Sequence, residues 1–300
     1  MKEACRLAGI DVVAAGSSAH GQSRAVADAL NCRAVDDLRQ ELTAADVHAF
    51  LVFAAGDFGT DPGGADSNAL LSARARGVQV LSIEPIPASV AELSSGRWLR
   101  PKQGVAPAEC LAPMALFARS EAMARAAETL AAFGPPRTFL LENLCSSAFS
   151  SLGARLFDSM HLVHVLMGEP EGIDAACVAP RRSAGLHAIA GESLRELTGD
   201  CTANVRFSDG RAAAILASDQ AERLLRRLTL LSGNGRLEIT DHGFTWVDPE
   251  GKTVDVWEAP RADDVGVLAA GLKSFAERRT DVGPVDVQST LAMTQAALLS

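Results

Sequence analysis

Two hydrophobic rhythms divide the chain. In the first third, apolar residues fall in short, nearly continuous runs, at residues 10–15, 47–55 and 78–83. Further along they alternate with polar residues at every second position. An unbroken run suits a strand covered on both faces, and alternation suits a strand with one face in water. Between the early runs, helical spacing predicts helices over 67–76 and, capped by Ser18, up to about Leu30. A brief strand follows at 32–35, then a helix capped by Asp36 or Asp37 that runs to about Leu42. Residues 2–8 read as the tail of a helix stopped by Gly9. Strand, helix, strand, helix with short loops means right-handed βαβ units and a parallel sheet.

The run at 78–83 ends abruptly in Glu84-Pro85-Ile86-Pro87. Proline has no N–H for a sheet ladder, so the strand stops there. Such a stop marks the carboxyl edge of a parallel sheet, where these sheets bind ligands. The glycine-rich loop 56–64 falls at the same edge and reads equally well as a ligand loop or a long turn.

The second rhythm begins after a helix over 116–133 and the breaker Gly134-Pro135-Pro136. A strand at 137–142 and a helix at 155–167 follow, the helix carrying Leu156, Met160, Val163 and Met167 on one stripe. Short strands are predicted at 173–178, 203–208, 212–217, 226–232 and 236–240, with a hairpin of 244–247 and 253–256 around Asp248-Pro249-Glu250-Gly251. Helices at 264–278 and 285–299 close the chain. The predicted fold class is α/β: a truncated Rossmann-type parallel sheet over 1–112, then an α+β domain with a large, mainly antiparallel sheet over 113–300.

One part of the dinucleotide pattern is missing. Such folds open on an apolar strand and a G-x-G-x-x-G turn that approaches the pyrophosphate. Gly16-Ser17-Ser18-Ala19-His20-Gly21 has the wrong spacing and follows what reads as the second strand. In the strand order 3-2-1-4-5-6 the first strand is central, so its loss leaves a slot in mid-sheet.

Composition narrows the function classes. The chain has 300 residues, 48% of them apolar, and a net charge of −9. No basic stripe interleaved with aromatics appears, which argues against nucleic acid. No apolar run approaches the roughly 20 residues of a membrane span, and no signal-peptide h-region follows Met1. The six cysteines form no C-x-x-C and read as small buried apolar residues in a reducing, cytoplasmic setting.

The ordered elements resemble the Gfo/Idh/MocA oxidoreductases, the group of glucose–fructose oxidoreductase and inositol dehydrogenase. Asp11 to Ala15 is similar to that family's second strand, and 32–42 to its next strand and helix. Residues 77–87 resemble the strand ending in E-K-P, 161–170 the helix closing on G-E-P, and 226–248 part of the sheet used for association. The resemblance implies NAD or NADP, and hydride transfer at a sugar, polyol or related carbon.

Carried over residue by residue, the pattern meets substitutions. The ribose-binding acid falls at Gly16, with Ser17 and Ser18 as partial replacements and Pro85 on the cofactor side. The E-K-P lysine falls at Glu84, and the acid before it at Ile83. The motif D-x-x-x-H-x-x-D falls on Ala154, Asp158 and His161. Candidate catalytic residues are therefore Glu84, Asp158 and His161, and candidate cofactor residues Gly16, Ser17, Ser18 and Pro85. No metal is implied, since Asp158, His161 and His164 at three-residue spacing match a plain helix face as well as an acid–base pair.

Three readings follow. In the first, the protein is a divergent oxidoreductase-fold protein with weak or no ordinary NAD(P)-dependent dehydrogenation. In the second it is a working oxidoreductase whose first strand lies upstream, Met1 being internal. In the third it is a partner subunit or small-molecule sensor. A small-molecule ligand and self-association through the C-terminal sheet, or a partner protein, are expected under each.

Overall fold

The structure is a computed structural model. It describes residues 1–17, 21–44, 46–53, 58, 65–86, 88–90, 111–114, 116–178, 194, 197–259, 264–276 and 286–300. Ser18, His20, Trp98, Cys110 and all of the loop 56–64 except Phe58 lie outside that set.

The first unit begins with helix α1 (Lys2–Leu7) and alternates strands and helices: β1 (Ala14–Gly16), α2 (Ser23–Leu30), β2 (Arg33–Val35), α3 (Leu38–Ala44), β3 (Ala49–Val52), α4 (Ala65–Ala75), β4 (Gln79–Ser82) and β5 (Ala112–Pro113). Helix α2 starts at Ser23 rather than near Ser18; Gln22 precedes it and gives no side-chain cap. All pairings are parallel, as βαβ units require.

The parallel sheet comes in two pieces, β1–β2 and β3–β4–β5. Read as the order 3-2-1-4-5-6, β2 and β1 are the strands left of centre and β3, β4 and β5 those right of it. Strand β1 pairs only with β2, and β3 only with β4, among the described residues. In a parallel ladder, alternate residues bond to opposite neighbours. The bond from the Arg33 N–H to the Val13 carbonyl puts Val13 and Ala15 on the paired side. Ala14 and Gly16 therefore turn their backbone groups outward. The bond from the Gln79 N–H to the His48 carbonyl likewise leaves Ala49 and Leu51 turned outward on β3.

The second unit holds α5 (Glu121–Arg125), α6 (Ala127–Phe133), β6 (Thr138–Ser146), α7 (Leu152–Met167), β7 (Gly172–Val178), β8 (Asp200–Arg206), β9 (Ala212–Ser218), β10 (Gln220–Ser232), β11 (Gly235–Thr240), β12 (Gly243–Val247), β13 (Thr253–Glu258), α8 (Asp264–Ala276) and α9 (Val287–Leu299). The helix expected over 116–133 is two short helices. Phe117 gives its N–H to Asp158, and Ser120 starts α5 as a cap in extended conformation.

Eight strands form one sheet in the order β13-β12-β11-β10-β6-β9-β8-β7. It is antiparallel except for the β6–β9 pair, which is parallel. Cross-strand partners share a face, so the registers sort the side chains. Phe244, Ile239, Leu228, Leu141, Ile215 and Ala203 form one row across the inner face, beneath α7 and α9. Val256, Thr245, Glu238, Thr229, Leu140 and Ala214 form the matching row on the outer face. Leu140 and Val256 are exposed there, at 48% and 54%.

Helix α8 returns to the first unit. Leu268, Leu272 and Phe275 pack with Ala4, Cys5, Leu81 and Ile83 in one apolar cluster, which Ala154 of α7 joins. The two units thus meet at the carboxyl end of β4 and the start of α7. No helix among the described residues is long and apolar enough to cross a membrane.

Candidate functional site

Where β4 ends, Glu84 meets the first turn of α7. Ser151 is the N-cap of that helix, with extended backbone and its Oγ accepting from the Ala154 N–H at 3.1 Å. The Ser151 N–H donates to Glu84 Oε1 at 3.0 Å, and its hydroxyl donates to Oε2 at 2.5 Å. One serine therefore caps the helix and clamps the glutamate. The Leu152 N–H is taken by the Leu197 carbonyl at 2.9 Å. Leu194 lies so close that a Cβ on Gly153 would sit 2.3 Å from its carbonyl oxygen. A helix N-terminus attracts anions, and here the protein's own groups occupy it.

Burial raises the pKa of Glu84 above the usual carboxylate value. The Ser151 hydrogen bonds and the Arg155 charge oppose the rise, and Asp219 adds to it. Pro85 is buried behind it.

One turn further, α7 lies over a polar row on the inner face of the sheet. Asn143 and Arg226 are cross-strand partners there and both are buried. Asn143 Nδ2 donates to Asp158 Oδ2 at 3.3 Å, to the Arg155 carbonyl at 3.2 Å and to Ser159 Oγ at 3.1 Å. Its Oδ1 accepts from Arg155 Nη1 at 3.2 Å. The Phe117 N–H lies 3.3 Å from Asp158 Oδ1. Arg226 grips Asp241 through Nε at 2.9 Å and Nη2 at 2.5 Å, and stands over the Phe117 ring. Burial works against the Arg226 charge, but Asp241 and then Asp158 outweigh it, so its pKa is raised. Two arginines and two aspartates balance each other's charge. Among the described residues, Arg155 Nε and Arg226 Nη1 have no hydrogen-bond partner.

His161 is 1% exposed. Burial lowers its pKa to about 4; Asp158 and Asp286 oppose the fall, while Arg119 and His164 add to it. Its Nδ1 has no hydrogen-bond partner among the described residues. His164 lies near Glu169, with Nδ1 3.4 Å from a carboxylate oxygen. No group of three metal-ligating side chains converges among the described residues.

The three candidate catalytic residues are not brought together. A helix rises about 1.5 Å per residue, so Asp158 and His161 stand roughly 10 Å and 15 Å along the axis from Ser151, which holds Glu84. Glu84 can accept a proton, but its oxygens face Ser151. Asp158 is held by a backbone amide and Asn143, with no hydroxyl to act on.

The candidate cofactor residues fare similarly. A Cβ on Gly16 would lie 2.4 Å from the Val35 carbonyl oxygen, so no acid fits there to hold a ribose. The Ser17 N–H bonds the Ser23 hydroxyl at 3.3 Å, and Ser18 lies outside the described residues. The described residues offer no glycine-rich turn opening a helix beside the parallel sheet. Among the described residues, the position expected to hold the ribose thus carries no acid.

Arg155, Asn143, Ser151 and Arg226 escaped the sequence reading. The signal was present for two of them. Asn143 and Arg226 sit at inward-facing positions of alternating strands, in phase with Leu141 and Leu228.

No protein-family model and no curated protein sequence matches the chain. Solved structures do match it, at probability 1.00. UDP-N-acetylglucosamine 3-dehydrogenase GnnA from Acidithiobacillus ferrooxidans is 19% identical, with TM-score 0.63, over 99% of this chain and 92% of that one. Biliverdin reductase from Synechocystis sp. PCC 6803, in complex with biliverdin and NADP+, is 14% identical, with TM-score 0.64, over 99% and 93%. Levoglucosan dehydrogenase, in complex with NADH and levoglucosan, is 12% identical, with TM-score 0.65, over 99% and 93%. At these identities the likeness is one of fold.

Proposed function

We propose, from the premise of a Gfo/Idh/MocA oxidoreductase fold, that this chain is a divergent form with weak or no ordinary NAD(P)-dependent dehydrogenation. The observation that carries the reading is the state of the catalytic positions. Where a lysine would offset developing negative charge, Glu84 brings a carboxylate. Where an acid–base pair would move the substrate proton, Ala154 has no functional group and Asp158 is bound to Phe117 and Asn143. His161 is buried and neutral at physiological pH. None of these depends on residues beyond the chain.

The test is a turnover assay with NAD and NADP against polyols, sugars and nucleotide sugars. The expected result is no cofactor reduction above background with substrate up to about 1 mM, the upper end of ordinary Michaelis constants. Saturable turnover of any polyol would end the reading.

A second reading rests on the split sheet. Among the described residues, β1 and β3 each pair on one side alone, and in the order 3-2-1-4-5-6 one further parallel strand would lie between them. A working oxidoreductase would supply it from residues upstream of Met1. Expression with the in-frame upstream codons discriminates. Gain of NADH binding together with turnover favours this second reading; gain of neither favours the first.

A further inference from the structure

We propose that Cys177 and Cys201 form a reversible redox pair, a cross-strand dithiol that low-molecular-weight disulfides convert to an internal disulfide. Its test does not depend on the proposed oxidoreductase reading.

The geometry is favourable. Cys177 on β7 and Cys201 on β8 are direct antiparallel partners. Direct partners have Cα atoms about 4.5–5.5 Å apart, inside the range a disulfide spans. Their side chains share a face, and the two sulfurs lie 2.8 Å apart.

The two thiols divide the work. Cys177 is exposed on β7, the edge strand of the sheet. Cys201 is 1% exposed, in the inner-face core. The hydrogen bond with Cys201 lowers the pKa of Cys177, against the effect of burial. The same contact, with burial, raises that of Cys201. Cys177 is therefore the thiol that ionises and meets solvent, and Cys201 the one that keeps its proton and resolves. A thiolate is the attacking species in exchange. Cys32 is half-buried, and Cys5 and Cys145 are buried; none lies opposite another cysteine in a strand pairing among the described residues.

The steps balance. The Cys177 thiolate attacks one sulfur of a disulfide R–S–S–R; a Cys177–S–R bond forms and R–S⁻ leaves. Cys201 then loses its proton and attacks the Cys177 sulfur. The Cys177–Cys201 bond forms, and the second R–S⁻ leaves. The protein gives up two electrons and two protons, and the small disulfide becomes two thiols.

The experiment uses the folded, reduced protein and glutathione disulfide. After incubation, free thiols are alkylated and the protein is digested with trypsin without reduction. Cleavage after Arg181 and Arg195 separates the two cysteines, in peptides 156–181 and 196–206. The expected product is these two peptides linked, with two of the six thiols lost and both restored by dithiothreitol. In Cys201→Ser, glutathione is expected to stay on Cys177, and in Cys177→Ser, Cys201 is expected to stay unmodified. The inference is overturned if the wild-type protein keeps both thiols free, retains glutathione on Cys177, or links two chains through it.

Discussion

His161 shows how one side chain sets a pH response. Its pKa falls from 6.5 unfolded to about 4 folded, because burial disfavours the imidazolium. Below 6.5 the unfolded chain takes a proton that the folded chain refuses. The stability that His161 contributes is thus present above pH 6.5 and lost as pH falls toward 4. The difference is worth about 3 kcal/mol. Urea titrations of wild type and His161→Leu across that window test it: the variant is expected to lose that much less stability on acidification. Glu84 works in the opposite sense. Its folded pKa is raised, so the folded chain holds the proton more tightly, and stability falls as pH climbs past the usual carboxylate value. Glu84→Gln is expected to flatten that part of the profile. Ser151→Ala removes both a helix cap and a partner of Glu84, and is expected to cost about 1–2 kcal/mol by denaturant melting. Glu84 was legible as a strand-end polar residue at a ligand-binding edge. Its clamp was not, because Ser151 is 67 residues away and no local pattern links them.

At the scale of elements, two features carry predictions. The first is the polar row beneath α7. Removing one member of a buried charge pair strands the other, at about 3–5 kcal/mol, whereas replacing both with apolar residues is often neutral. Arg226→Met is expected to be that costly and Arg226→Met with Asp241→Leu close to wild type, by urea unfolding. The second is the pair of parallel edges, on β1 and β3, that have no partner strand among the described residues. Backbone amides of Phe50 and Val52 face β4, and that of Leu51 faces the gap. Hydrogen exchange is expected to find Leu51 fast beside two slower neighbours. Most strands were legible, since alternation gave the inner and outer faces of the large sheet and solid runs gave the small parallel one. The parallel β6–β9 pair was not, because pairing partners far apart in sequence leave no local mark. The late start of the helix, after Ser120, was missed for a related reason: the alanine-rich stretch has good helix propensity throughout, and the hydrogen bond from the Phe117 amide to Asp158 holds its first residues out of the helix.

Across the whole molecule, helices among the described residues cover one face of the large sheet. On the other, Leu140 and Val256 are exposed in one cross-strand row, and Arg227 meets Glu142 nearby at 3.5 Å. We propose that a second copy covers this face, on which Leu140, Leu231, Val254 and Val256 are exposed. Light scattering after gel filtration is expected to give a dimer, and Leu140→Glu with Val256→Glu a monomer. The overall architecture was readable because the order of elements survives where the motifs do not. The identity of the catalytic residues was not, because Asp158 and Glu84 occupy positions where a match would name a role and a mismatch names none. The central proposal is that this chain binds a pyridine dinucleotide weakly or not at all. Isothermal titration of the purified chain with NADH and NADPH tests it directly. The account predicts no saturable heat up to about 1 mM nucleotide, a ceiling on binding of about −4 kcal/mol; micromolar binding of either nucleotide would contradict it.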